Sequence, residues 1–401
     1  MINDLLHDRY RIVDKLGFGG YSTVWLAQDA RLGRYVAIKV GISGSSLPRR
    51  ERVVMRQLST RSNADDAIHV PRILDEFDVR GPNGTHACYT LASAQGNLKQ
   101  ASYSRLFPIQ VARVLAAKLA LAVALVHSRG LVHGDIHLGN VLVKLPSTFH
   151  NLSLAQLREQ FGEPETIAIS RVDGKPLPSS VPSHAVTPLY LGKKAQKFSL
   201  ADAQSLVLSD FGESFAPASE QRLGRDCNTP VAKRAPETLF EPDAPLSYSS
   251  DIWSLGTAMW EMLGMKFIFS ESETDDEIVA QQIDVLGFQN FPPVWRRKWE
   301  RSDADDSDTN RGVPRQPAAH REPWPPLEDA FEEFVQKYRR RREMTGKFGG
   351  EETQAILELM RGMLKFLPEK RLTIYGVLES QWMVKWALPQ LKEAEKQGHG
   401  G

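Results

Sequence analysis

Asp135 and Asn140 stand five positions apart in Leu131–Val143, LVHGDIHLGNVLV, a polar turn held between two apolar flanks. A carboxylate so placed can accept the proton of an incoming hydroxyl, and an amide oxygen on the same turn can ligate a divalent cation. Phosphoryl transfer asks for these two roles, because its loose transition state needs positioning and charge neutralisation more than covalent help. A second candidate metal ligand, Asp210, follows the apolar run Leu206–Leu208 in SDFG, and a hard Mg²⁺ ion would bridge nucleotide phosphates between it and Asn140. Lys39 lies in the apolar run Tyr35–Val40, where a buried ammonium needs a counter-charge. Between it and Asp65 the only carboxylate is Glu51. Glu51, Met55 and Leu58 share one face of a helix expected to start near Pro48 with Ser46 as cap, so a Lys39–Glu51 ion pair is expected.

Strands must carry these groups. Tyr10–Leu16 and Trp25–Ala27 read as strands on either side of Gly17-Phe18-Gly19-Gly20-Tyr21-Ser22-Thr23-Val24. Glycines let backbone N–H groups approach phosphate oxygens, and Val24 would cover one face of an adenine ring. Strand rather than helix follows the glycines, which disfavours a dinucleotide-binding βαβ unit. Val70–Val79 and His86–Leu91 read as two further strands joined by Gly81-Pro82-Asn83-Gly84, completing five. Leu91 would limit the back of the pocket, and the small residues Ala92–Gly96 would form a hinge. From Pro108 the period turns helical and leads into the Asp135 turn. Residues 144–205 then interrupt the pattern with an amphipathic piece (Leu154–Phe161), a hairpin-like ETIAISRVDGKPLP and many prolines, and read as an insertion packed on the surface or partly disordered.

Composition narrows the class. The 401 residues are 41% apolar and 25% charged with a formal net charge of +1, so the chain can build two cores and offers no basic stripe for nucleic acid. Two distant cysteines, Cys88 and Cys227, suit a reducing compartment. The N-terminal MINDLLHDRYRIV lacks the basic start and apolar stretch of a signal peptide, and Arg113 and Lys118 interrupt the apolar Val111–Val126, which is expected to be a buried helix. No membrane partner is expected, and localisation is expected in cytoplasm or nucleus.

Taken in order, GFGGYSTV, VAIK, the Asp135–Asn140 loop, DFG and APE (Ala235-Pro236-Glu237) resemble the eukaryotic protein kinases over about Tyr10–Leu388. GFGGYSTVWLA, the GPNGTH turn, the spacer before DFG and QWMVKWALP look like SR protein kinases, particularly fungal members. The resemblance implies an α+β bilobal fold: a small antiparallel sheet plus helix over residues 10–92, and a larger, mainly helical lobe over 97–388. Inserts would lie at about 144–205 and 300–326, with a tail at 389–401. It implies ATP with Mg²⁺, transfer to serine or threonine in arginine-serine-rich proteins such as splicing factors, and a monomer. Motif by motif, it gives Asp135 the proton-acceptor role, Lys39 the α/β-phosphate contact, Glu51 the lysine's partner, and Asn140 and Asp210 the metal. Gly17, Phe18, Gly19, Gly20, Val24, Ala37 and Leu91 would line the nucleotide.

Ser22 stands at the third loop glycine. Gly134 replaces the arginine that receives an activation-loop phosphate, so activity is expected without phosphorylation of Ser214, Ser219 or Thr229. His137 replaces the lysine on the transferred phosphate, and HGDIHLGN also resembles the loop of aminoglycoside and choline phosphotransferases. A pseudokinase scaffold and a small-molecule phosphotransferase therefore stand as alternatives. Asp251 is expected to hold the catalytic loop through backbone N–H groups, and Glu237 to pair with Arg371. Glu271–Glu277, Asp303–Asp308 and Arg339–Arg342 read as solvated charge runs, Ser302–Pro326 as a mobile insert and Lys396–Gly401 as a frayed end.

Overall fold

β-Branched and aromatic residues in alternation build the first sheet. The structure, a computed structural model, describes residues 1–59, 69–102, 106–301, 312–317, 321–342 and 346–398. Contacts divide the chain into two compact units, residues 1–97 with 142–193 and residues 98–141 with 194–401.

In the first unit an antiparallel sheet runs in the order β1-β2-β3-β4-β6-β5: β1 Leu5–Leu6, β2 Tyr10–Phe18, β3 Ser22–Asp29, β4 Arg34–Gly41, β5 Asp75–Gly81 and β6 Gly84–Ala92. One face buries Tyr10, Ile12, Ala27, Val36, Ile38, Phe77 and Cys88. The helix Leu47–Ser59 begins one residue after Ser46. The sheet has six strands rather than five, because β1 is two residues long and carries no alternation to read. β5 starts at Asp75, not Val70. Pro71 has no N–H to give a ladder, and the backbone first joins the sheet through Leu74 N–H to the Thr90 carbonyl at 2.9 Å.

Where a hinge was expected, β7 Ala94–Asn97 pairs with β8 Val141–Lys144. The segment after it packs on the first unit as far as residue 193, with residues 162–185 left largely exposed, as a surface-packed insertion would be. Phe149, Leu157 and Leu191 are buried against Val13, Leu26 and Tyr35, and Arg158 bonds Asp14 at 2.7 Å. The helix Leu154–Phe161 forms with a Ser153–Gln156 capping box, but β9 Thr166–Ala168 pairs with β10 His184–Val186 rather than within ETIAISRVDGKPLP.

The second unit is mainly helical. Its helix Ile109–Ser128 is long and apolar enough to cross a membrane by composition, yet thirteen of its residues are buried among neighbouring helices. Tyr248–Leu263 lies beside it, as does Leu388–Gly398, so the stretch expected as a tail from 389 instead buries Leu391 and Ala394. β11 Leu206–Leu208 precedes Asp210. Two charge runs are solvated over most of their length but each is anchored at its first residue. Glu271 pairs with Lys99 at 2.8 Å and Lys233 at 3.3 Å, and Arg339, 1% exposed, gives its guanidinium to the Leu263 and Phe107 carbonyls at 2.9 and 3.2 Å. The expected insert is described over 312–317 and 321–326, where Val313 is buried with Trp295 and Trp299. The Asp303–Asp308 run and the last residues, 399–401, lie outside the described residues.

Candidate active site

In the first unit register decides which side chains share a face. Gly17 lies opposite Val24, Val24 opposite Lys39, and Ala37 opposite Leu91, so these five positions fall on one face of the sheet. That face is opposite the core of Val36 and Ile38. The loop between β2 and β3 closes through Gly19 N–H to the Ser22 carbonyl at 2.9 Å. A Cβ at Gly17, Gly19 or Gly20 would meet no atom within 4 Å, so the loop backbone stands open on that side. Phe18 at its tip is exposed, with the Lys15 ammonium 4.2 Å from its ring centre. Lys39 Nζ lies 2.9 and 2.8 Å from the two oxygens of Glu51, which is 3% exposed beside buried Met55 and Leu58. The expected pair is formed.

In the second unit the loop His133–Asn140 is held by hydrogen bonds to both backbone and side-chain atoms. Asn140 donates through Nδ2 to the Asp135 carbonyl at 2.9 Å and to Asp135 Oδ2 at 3.0 Å. This fixes the amide so that its remaining side-chain atom is the oxygen, the donor a hard cation would use. Asp135 Oδ1 is buried without a hydrogen-bond partner, and the other carboxylate oxygen is occupied. His137 Nε2 approaches that occupied oxygen at 3.4 Å, while its Nδ1 accepts from Gly139 N–H at 3.0 Å. The Asn140 carbonyl accepts from both N–H and Oγ of Ser209, at 2.8 and 2.9 Å, which ties the loop to the residue before Asp210.

Asp210 has left-handed backbone angles, φ 63° and ψ 73°, a costly conformation for a residue with a Cβ and one that gathers at functional positions. Asn140 and Asp210 supply two hard oxygen donors. Among the described residues no cluster of three or more His, Cys, Asp or Glu forms a metal cage. A donor set this small fits a magnesium-type ion that completes its octahedron with phosphate oxygens and water.

Beneath the loop, Asp251 accepts from His133 N–H at 2.7 Å, Gly134 N–H at 2.9 Å and His127 Nε2 at 2.9 Å. It is 1% exposed. Burial pushes its pKa up, but the His127 hydrogen bond, the nearby imidazoles and Gly134 N–H outweigh this and hold it below the ordinary Asp range. A depressed carboxylate stabilises the fold above its unfolded pKa, and the contribution is lost as pH falls through the lower folded pKa. The unaltered chain should therefore lose stability on acidification below the usual Asp range more steeply than Asp251→Asn, with urea midpoints read across that range. Equal slopes would count against this role.

Composition gave no signal for three hydroxyls around the loop. Ser214 Oγ donates to the His133 carbonyl at 2.9 Å, Thr229 Oγ1 to the Gly134 carbonyl at 2.8 Å, and Ser209 acts as above. Ser214 and Thr229 are 0% and 3% exposed, so neither presents its hydroxyl to a modifying enzyme, whereas Ser219 is exposed.

The chain is similar to several known kinases. Residues 194–383 match the protein kinase domain family. A serine/threonine protein kinase of Aspergillus fumigatus is 25% identical across 96% of this chain and 86% of its own length. The protein kinase dsk1 of Schizosaccharomyces pombe is 27% identical, with 96% and 82% covered. The serine/threonine-protein kinase SRPK of Physarum polycephalum is 25% identical, with 95% and 87% covered. A solved kinase domain, 16% identical, aligns over 96% of this chain and 97% of its own with a TM-score of 0.59, and so shares the fold.

Proposed function

We propose that this chain, a serine/threonine protein kinase, transfers the γ-phosphoryl group of Mg²⁺-bound ATP to serine hydroxyls of arginine-serine-rich proteins. The observation that carries the chemistry is the asymmetry of Asp135: one oxygen engaged by Asn140, the other buried and unpartnered. Oδ1 takes the hydroxyl proton as the new O–P bond forms and the bond from the γ-phosphorus to the ADP oxygen breaks, so the charge leaves on ADP. Lys39, oriented by Glu51, holds the α- and β-phosphates, and the glycine loop covers them with its backbone N–H groups. Mg²⁺, when bound by Asn140 and Asp210, neutralises the phosphate charge. The substrate class rests on likeness to the SRPK of Physarum polycephalum.

The test is label transfer from Mg·ATP to an arginine-serine peptide and to a lysine-serine peptide of equal charge. Transfer to the first at a rate at least about tenfold above the second supports the substrate class. Equal rates would retain the kinase and remove that class. Tight ATP binding without label on any protein would favour a pseudokinase.

A further inference from the structure

We propose that His137 positions Asp135 instead of standing in for a phosphate-binding lysine; the inference rests on the proton-acceptor reading of Asp135 given above. The imidazole has its two nitrogens differently employed. Nδ1 accepts from Gly139 N–H at 3.0 Å, so that nitrogen carries a lone pair, and the ring proton of the neutral side chain is on Nε2. Nε2 lies 3.4 Å from Asp135 Oδ2, close enough for a hydrogen bond to form if the site tightens around substrate. With Asn140 Nδ2 on the same oxygen at 3.0 Å, Oδ2 has two nitrogens beside it, while Oδ1 is buried and unpartnered, the oxygen left to take the hydroxyl proton once substrate reaches it.

A second observation shows that the ring's seat is built for it. His137 caps the short 3₁₀ turn Leu138–Asn140 and folds back over Gly139. A Cβ at Gly139 would lie 2.7 Å from the ring's Cε1 and 2.8 Å from Nδ1, so only glycine leaves the imidazole its place. Histidine and glycine here form a matched pair. A lysine could not substitute, because an ammonium donates three hydrogen bonds and accepts none, leaving Gly139 N–H without its acceptor. It could, however, serve a phosphate as well as histidine or better, so the two roles predict opposite results at one position.

The experiment compares His137→Ala, His137→Lys, His137→Asn and Gly139→Ala by steady-state kinetics on the full chain, with melting midpoints to confirm folding. Positioning predicts that all four lower kcat by about tenfold to a hundredfold while the KM for ATP stays within about twofold. Asn can restore the cap through its side-chain oxygen and should recover the melting midpoint but not kcat. If His137→Lys matches or exceeds the unaltered rate, or if His137→Ala mainly raises the KM for ATP, the histidine serves the phosphate and the proposal is overturned. Full recovery of kcat by Asn would reduce the ring to a cap and overturn it equally. Absence of transfer by the unaltered chain would instead sink the kinase reading, a result the control separates from the others.

Discussion

Asp135→Asn is expected to lower kcat by about 10²–10⁴-fold, the range a positioned general base supplies, with ATP affinity almost unchanged. The two side chains have the same shape, so the loop need not move. Their hydrogen-bonding character differs where it matters. The Asn140 amide already donates to one oxygen of residue 135, which obliges a new amide to turn its own oxygen that way. Its NH₂ then occupies the buried position of Oδ1, and a donor stands where the hydroxyl proton must arrive. Lys39, Asn140 and Asp210 are untouched, so nucleotide binding measured by titration should persist. A variant that keeps more than about a tenth of the unaltered kcat would show that Oδ1 is not the proton acceptor.

The second large effect is on folding. Arg371→Ala should destabilise the helical unit by about 3–5 kcal/mol, the cost of leaving a buried charge unpaired. Arg371 meets Glu237 in a two-pronged pair at 2.7 and 2.5 Å, and spends its other N–H groups on the carbonyls of Lys365, Ser249 and Phe366 at 2.7, 3.0 and 2.9 Å. Both partners are buried, 7% and 6% exposed. Removal of the guanidinium strands Glu237 and three carbonyls together. Its carbon also lies 5.2 Å from the ring centre of Trp253, so tryptophan emission during urea unfolding reports the change. Adding Glu237→Gln should recover part of the loss, because it removes the stranded charge. No recovery would mean that the carbonyls, not the ion pair, carry the energy.

The candidate site positions were legible because each combines a rare residue type with a local constraint. Lys39 in an apolar strand demanded an acid, and only Glu51 was available nearby. Asp251 and Arg371 were legible from motif order, and both make the bonds expected of them. What escaped lacked periodicity or depended on partners distant in the chain. Two-residue β1 has no alternation, and the apolar residues Phe149, Leu157 and Leu191 are too widely spaced to announce that they finish a core. Arg339 and Glu271 looked solvated because sequence shows charge and hides the carbonyls and ammonium groups that receive it. His137 was read by analogy to a lysine, since its cap on Gly139 N–H is a matter of ring geometry.

Gly134 fixes one further property of the enzyme. Its φ is +80°, and a Cβ there would sit 2.7 Å from the Glu213 carbonyl oxygen, a backbone atom that cannot swing aside. An arginine placed at this position by a single substitution would therefore strain the chain's path against Glu213. Anyone wishing to place this enzyme under external command must rebuild the segment around Glu213 as well, or fit the switch to another part of the molecule.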